Sequence, residues 1–311
     1  MTGAAGWGTT APAMAAGASA AAKPPRCFGA AARDPLTRCV NPALRLTVRP
    51  TPENALLAPN SPCRPTPNNT APFRCVFGIP AAEARNAPIA LIGDSHASHW
   101  RAALEPVARQ TRRVGTSMVR TGCAYSKLVT ALDGAQRGRC IRWVRHVRRW
   151  LTRHPKVTTI FISTRSSLRS EVAPGRSMFA AQVAAYQRAW ADLPATVKRV
   201  VIIRDVPTNN ARSNACIEEA RRKKLRAGVS CALARNRILK PDPAAVAARR
   251  LGSPRVVVVD LTDFMCSPRL CLPVIGGALV HKDIDHMTAA FATTLAPYLH
   301  RRLRQLLPDW A

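Results

Sequence analysis

Ser95 lies in Ile89-Ala90-Leu91-Ile92-Gly93-Asp94-Ser95-His96-Ala97, an apolar run that Gly93-Asp94 breaks and a helical pattern follows. That setting suits a nucleophile. A serine at the C-terminal end of a buried parallel strand stands where open α/β sheets bind their ligands. The next helix turns free N–H groups and a positive dipole end toward whatever reacts there. Asp94 or Ser95 also fits a plain helix N-cap, a common role for either type. A serine nucleophile needs a base, and the base an orienting partner. His146, His154 and His300 fall in basic amphipathic stretches and read as surface residues, while His96 and His99 follow the serine directly. A residue beside the serine in an early helical turn is expected to project away from it. Asp283-Ile284-Asp285-His286 is the better source of a base, in a loop that also carries Gly276-Gly277 and His281 and immediately precedes the last helical pattern. Spacing of three puts Asp283 and His286 on one side of a turn. The imidazole can then point at Ser95 while the carboxylate accepts from its other nitrogen. Asp283 or Asp285 simply capping the following helix is the plainer alternative.

The elements that must position these residues can be read from the apolar pattern. Ile89–Ile92, Val114–Val119, Val157–Ser163, Val200–Ile203 and Val256–Asp260 are short runs rich in Val and Ile. Long connections separate them, as expected of parallel strands buried on both faces. Helical patterns occupy Ala97–Gln110, Ile141–Arg153, Phe179–Leu193, Ala244–Leu251 and Met287–Leu307. In Ile141–Arg153, Trp143, Val144, Val147, Trp150 and Leu151 form one stripe and arginines much of the rest, a solvated basic face over a packed one. The order predicts an α/β fold: a three-layer α/β/α sandwich with a doubly wound, mainly parallel five-stranded sheet of flavodoxin-like type. Pro24-Pro25, Pro50-Thr51-Pro52 and the proline-rich Pro62–Asn69 stretch interrupt any period before residue 85. Residues 1–85 therefore read as a Pro/Ala-rich linker or cap with two cysteine pairs, and 86–311 as the catalytic domain. Ser213–Lys240, with its run Arg221-Arg222-Lys223-Lys224, breaks the rhythm and reads as an insertion near 206–242.

Composition bounds the partners more than the chemistry. A formal charge of +30 in 311 residues points to anionic partners. Aromatic residues are only 5%, the arginines are dispersed, and no nucleic-acid module is legible, so no nucleic acid is expected. An anionic envelope surface fits the charge equally well. No run approaches the roughly 20 apolar residues that span a bilayer. Met1–Ala22 lacks the basic start and strongly apolar centre of a secretory signal. Asn68-Asn69-Thr70 has the pattern of a glycosylation acceptor. Ten cysteines occur as near neighbours, from Cys27 and Cys39 to Cys266 and Cys271, without a CxxC. An even count in such pairs reads as local disulfides in an oxidising compartment rather than a zinc site. No metal or cofactor is expected, and no Gly-x-Gly-x-x-Gly follows the first strand.

Gly93-Asp94-Ser95-His96 and Asp283-x-x-His286 together resemble blocks one and five of the SGNH (GDSL-like) hydrolase superfamily. The form Gly-Asp-Ser-His-Ala, the setting of Cys123 and Cys266-x-x-x-x-Cys271, and the closing helix resemble, more narrowly, the extracytoplasmic SGNH domain fused to acyltransferase family 3 membrane O-acyltransferases. The Cys27-Phe28-Gly29-Ala30-Ala31 segment also resembles the linker leaving such membrane domains. The resemblance implies a triad of Ser95 as nucleophile, His286 as general base then acid, and Asp283 as orienting carboxylate. It also implies an oxyanion hole from the backbone N–H of Ser95 and a block-two glycine, for which Gly122 is the candidate; a turn glycine is the alternative. The third strand ends Ser163-Thr164-Arg165 without the family's Gly-x-Asn-Asp, which leaves the Asn donor unassigned.

Three functions follow as expectations. The first is an extracytoplasmic, envelope-associated serine O-acyltransferase moving an acetyl group to a cell-envelope glycan or glycolipid. A membrane acyltransferase domain or chain would supply the acyl group. The second is a secreted esterase or deacetylase using the same triad. The third is a non-catalytic basic module that binds anionic glycan or nucleic acid.

Overall fold

The computed structural model describes residues 24–37, 39–59, 64–65 and 74–310; Met1–Ala22 and Asn68-Asn69-Thr70 lie outside them. The strands run β1 (Arg64–Pro65), β2 (Arg74–Gly78), β3 (Ile89–Gly93), β4 (Val114–Val119), β5 (Thr159–Ser163), β6 (Arg199–Ile203), β7 (Leu233–Ala234) and β8 (Val256–Val259). All but β7 join one sheet of order β1-β2-β4-β3-β5-β6-β8. The five expected strands are its parallel part.

Successive side chains of these strands alternate between two cores, as the pleat requires. Ile89, Leu91, Phe161, Val201 and Val259 face one core. Ala90, Ile92, Ile160, Val200 and Ile202 face the other. With both faces covered, the strands are apolar along most of their length, and all five residues of β3 are buried.

After the short α1 (Pro52–Leu57), the helices are α2 (Ser95–Gln110), α3 (Gly134–Arg153), α4 (Met178–Ala191), α5 (Ser213–Arg222), α6 (Ala227–Ser230), α7 (Arg235–Ile238), α8 (Pro243–Leu251), α9 (Ala289–Thr294) and α10 (Ala296–Leu306). The first core packs against α2, α9 and α10, the second against α3, α4 and α8. The apolar stripe of α3 behaves as its spacing predicts: Trp143, Val147, Trp150 and Leu151 are buried.

Three features depart from expectation. The sheet has seven strands rather than five, because β2 pairs antiparallel along β4, and β1 along β2, closing the parallel edge. Phe77 of β2 is fully buried, so part of the segment assigned to a linker belongs to the central sheet. The closing helix is two pieces: Thr288 caps α9 with its hydroxyl on the Phe291 N–H, and α10 starts afresh with Pro297 in its first turn. Third, residues ahead of the sheet pack against the insertion. Val48 and Ala55 share a small core with Ile217, Ala220 and Ala227 of the insertion and with Val274 and Leu279.

Those last two residues belong to a hairpin, β10 (Val274–Ile275) and β11 (Ala278–Leu279), beyond β9 (Leu270–Cys271), which pairs with β7. Gly276 and Gly277 make its turn, both with positive φ, as two-residue hairpin turns demand. Cys27–Cys39, Cys123–Cys140, Cys216–Cys231 and Cys266–Cys271 are disulfides between sequence neighbours. Cys75 is also disulfide-bonded.

The turn after β3 allows no side chain at Gly93. A Cβ there would fall on the Ser163 carbonyl oxygen of β5 and within 2.9 Å of Ala97 Cβ. Gly93→Ala is expected to cost more than the ~1–3 kcal/mol of an ordinary overpacked core, because the obstacle is backbone. Urea unfolding measures it; a change below about 0.5 kcal/mol, the range of neutral surface substitutions, would contradict this close approach.

Candidate active site

Each site element leaves the C-terminal edge of the parallel sheet or a loop that returns to it. Asp94 is the N-cap of α2: its Oδ1 accepts the His96 N–H at 2.9 Å. Its Oδ2 accepts the Arg165 N–H at 3.0 Å, so one buried carboxylate ties α2 to the end of β5. With Asp94 as the cap, Ser95 becomes the first residue of a 16-residue helix, at its positive end and only half-buried.

Asp283 and His286 are brought together. His286 Nδ1 lies 2.9 Å from Asp283 Oδ2, and Asp283 Oδ1 also accepts the N–H groups of Asp285 and His286. The loop is closed by the Lys282 N–H on the His286 carbonyl at 2.9 Å. It is pinned to α2 by the Met287 N–H on His99 Nδ1 at 3.3 Å. Burial pushes the Asp283 carboxyl up, but the bonds from His286 outweigh it and hold the group well below the usual carboxylate range. Neither Asp283 nor Asp285 caps the closing helix; Thr288 does.

The serine and histidine are not hydrogen-bonded. His286 Nε2 is buried without a partner. Catalytic hydrogen bonds are often open in unliganded enzymes and tighten around substrate. Gly122 sits half-buried in the turn leaving β4, with φ +66°. That turn is tied to the nucleophile strand by the Arg120 N–H on the Gly93 carbonyl at 3.0 Å, and Cys123–Cys140 anchors it to α3.

Sequence reasoning missed the charged network beneath this pair. The His96 ring is fully buried, and Nδ1 lies 2.6 Å from Asp205 Oδ1 just beyond β6. Its centroid stands 5.2 Å from that of His286 and 5.1 Å from that of His99. Asp205 Oδ2 accepts the Ser166 N–H at 2.7 Å. Asp285 Oδ1 lies 3.1 Å from His286 Nδ1, while its Oδ2 lies 3.0 Å from Arg165 Nε. Arg165, left without a role in the sequence, thus spans the site: its N–H on Asp94, its guanidinium on Asp285. One signal was legible. Asp205 follows a buried parallel strand at the same sheet edge as Ser95, where the ligand-binding crevice lies.

Burial disfavours the charged form of His96, but the Asp205 charge and hydrogen bond, with Asp285 and Asp94 behind them, raise its pKa to about 10. Asp205 is held below its ordinary value, burial being outweighed by His96 and the Ser166 N–H. Burial pushes Asp94 up to about 6 and His99 far below the normal imidazole range. Buried charges survive only when paired and hydrogen-bonded, and these are. One ligand atom each from His96, Asp285 and His286 falls within 4.8 Å of the others. Two of these three side chains already have partners outside the set, Asp205 on His96 and the Arg165 guanidinium on Asp285.

A sandwich with a strand–Gly-Asp-Ser–helix turn and an Asp-x-x-His loop facing the same sheet edge has the framework of the SGNH type of serine hydrolase. The family model "SGNH domain (fused to AT3 domains)" matches residues 62–301, about three quarters of the chain, and the chain belongs to that family. The match opens upstream of β1, so it takes in β1 and β2 with the rest of the sheet. No curated protein matches the sequence. Among solved structures, the periplasmic domain of a lipopolysaccharide acetyltransferase from Salmonella ser. Paratyphi A shares the fold, with TM-score 0.52 and 12% identity. The alignment covers 73% of this chain and 90% of that one.

The His96–Asp205 pair makes stability depend on pH. The folded state keeps on His96 a proton that the unfolded chain releases near 6.5. This contribution is whole below pH 6.5 and is lost as pH rises toward 10. Urea midpoints are expected to fall between pH 7 and 9.5, and less steeply in His96→Gln; identical slopes would remove the assignment.

Proposed function

We propose that this chain is an extracytoplasmic O-acyltransferase domain, in which Ser95 carries an acyl group, His286 is the base and Asp283 orients it. The observation that carries the reading is the Asp283–His286 pair, held at 2.9 Å with Nε2 free, in a loop pinned to the helix that Ser95 begins. Ser95 Oγ attacks the donor carbonyl carbon while His286 Nε2 takes its proton. The tetrahedral oxyanion is received by the Ser95 N–H, at the positive end of α2, and by the Gly122 N–H. Collapse returns the proton from His286 to the leaving group and leaves an ester on Ser95. The acceptor hydroxyl then loses its proton to His286 and attacks that ester, and collapse returns the proton from His286 to Ser95 Oγ and frees the serine. Water in place of the acceptor gives hydrolysis by the same steps.

Membership of a family described as fused to AT3 domains supports a membrane acyltransferase as the partner that delivers the acyl group. The periplasmic lipopolysaccharide acetyltransferase domain that shares the fold supports acetyl as the group and an envelope glycan or glycolipid as acceptor. That every described cysteine is disulfide-bonded agrees with an oxidising, extracytoplasmic setting. No helix among the described residues is long and apolar enough to cross a membrane.

Hydrolysis of 4-nitrophenyl acetate by the folded chain gives the test. Ser95→Ala and His286→Asn are each expected to lower kcat by about 10⁴-fold or more, and the double variant little further, since such residues act as one unit. Unchanged turnover in Ser95→Ala would overturn the proposal. An acetyl adduct on Ser95 in the wild type, seen by mass spectrometry after rapid acid quench, would show the covalent step directly.

A further inference from the structure

Beneath the proposed base lies a second histidine–carboxylate pair that the acyl-transfer steps do not use. His96 is fully buried, its Nδ1 is 2.6 Å from Asp205, and its Nε2 has no hydrogen-bond partner. That nitrogen is 3.9 Å from Asp285 Oδ2, beyond a hydrogen bond but within ion-pair range. Asp285 in turn reaches His286 Nδ1 at 3.1 Å, the nitrogen that Asp283 also takes. The order is Asp205, His96, Asp285, His286: anion, cation, anion, base.

We propose that His96 is a positioning residue: clamped by Asp205, it holds Asp285 against the Nδ1 edge of His286, so that two carboxylates rather than one orient the base. Asp205 is fixed by the Ser166 and Val206 N–H groups at 2.7 and 2.9 Å, which leaves the His96 ring little freedom. Asp285 is only 6% exposed, and a carboxylate so placed requires cations. His96 supplies one and Arg165 the other. The remaining groups around His96 agree. Asp94 is on its own helix turn and favours the imidazolium, while His99 and His281 are both pushed by burial toward the neutral form and so do not compete for the charge. Asp285 is held below its usual range by the neighbouring His96 first, with burial opposing. Asp283 is the more exposed of the two carboxylates, with 34% of its side chain open against 9% for Asp285. The inner carboxylate is therefore the one shielded from water when the acceptor enters.

The inference rests on the acyl-transfer reading, and a double-mutant cycle separates the two. His96→Gln and Asp285→Asn are each expected to lower kcat for 4-nitrophenyl acetate roughly tenfold or more, the scale for losing a partner that orients a functional imidazole. KM should stay within about twofold, since neither residue touches substrate. The double variant should lose no more than Asp285→Asn alone. Losses that multiply, or a His96→Gln enzyme with wild-type kcat, would overturn the proposal while leaving Ser95 and His286 in place. Loss of the Ser95 dependence would overturn the parent reading instead. If His96→Gln does not fold, ¹⁵N NMR of histidine-labelled wild-type protein decides. At pH 8, His96 should carry protons on both nitrogens. A neutral His96 would overturn it.

Discussion

At the C-terminal end of β3 the backbone of β5 comes so near Gly93 that no side chain fits between them. The rest of the site is built on that approach. With the two strand ends so close, one carboxylate, Asp94, can reach both the first turn of α2 and the Arg165 N–H beyond β5. The helix start is thereby fixed against the sheet, and Ser95 stands at the helix end without having to cap it. A residue larger than glycine at position 93 would push the strands apart and strain the Asp94–Arg165 bond that crosses between them.

The electrostatics of the site oppose those of the molecule. The chain carries +30 overall, yet Asp94, Asp205, Asp283 and Asp285 gather at this one edge out of 17 acidic residues. Burial alone would neutralise them, as it begins to do for Asp94, whose pKa is raised to about 6. Asp205, Asp283 and Asp285 stay charged because His96, His286 and Arg165 meet them at 2.6–3.1 Å. Breaking such a pair leaves a charge buried without a partner, which costs more than the intact pair ever contributed. The network therefore holds its members in one arrangement even where its net stabilisation is small. The net charge that composition reports therefore says nothing of the sign of charge at the site.

The loop with the proposed base is held in place by other contacts. It leaves the β10–β11 hairpin, whose Gly-Gly turn sets its direction, and returns through Thr288. The Thr288 hydroxyl donates to the Leu279 carbonyl at 2.6 Å and caps α9. The hairpin is held in turn by residues far upstream, with the Arg49 N–H on the Gly277 carbonyl at 2.8 Å. Proline-rich chain that looks like a mere tether thus buttresses the loop that carries His286.

Much of this was legible in the order of residues. The five parallel strands and their helices follow from short apolar runs and helical periodicity, because both faces of a parallel sheet must be covered. Ser95, Asp283 and His286 stood out because a strand end and a three-residue spacing limit where side chains can go. Neighbouring cysteines paired as their spacing suggested, since short loops close at small entropic cost. The antiparallel β2 was hidden by the prolines around it. The break between α9 and α10 was signalled by Pro297, which the apolar periodicity on either side of it masked. What only the tertiary structure decided is the company the base keeps. His96 meets Asp205 across 109 residues, and Arg165 meets Asp285 across the sheet edge. No local spacing encodes such meetings; they arise when strands β3, β5 and β6 are laid side by side and their ends, distant in sequence, share one buried edge.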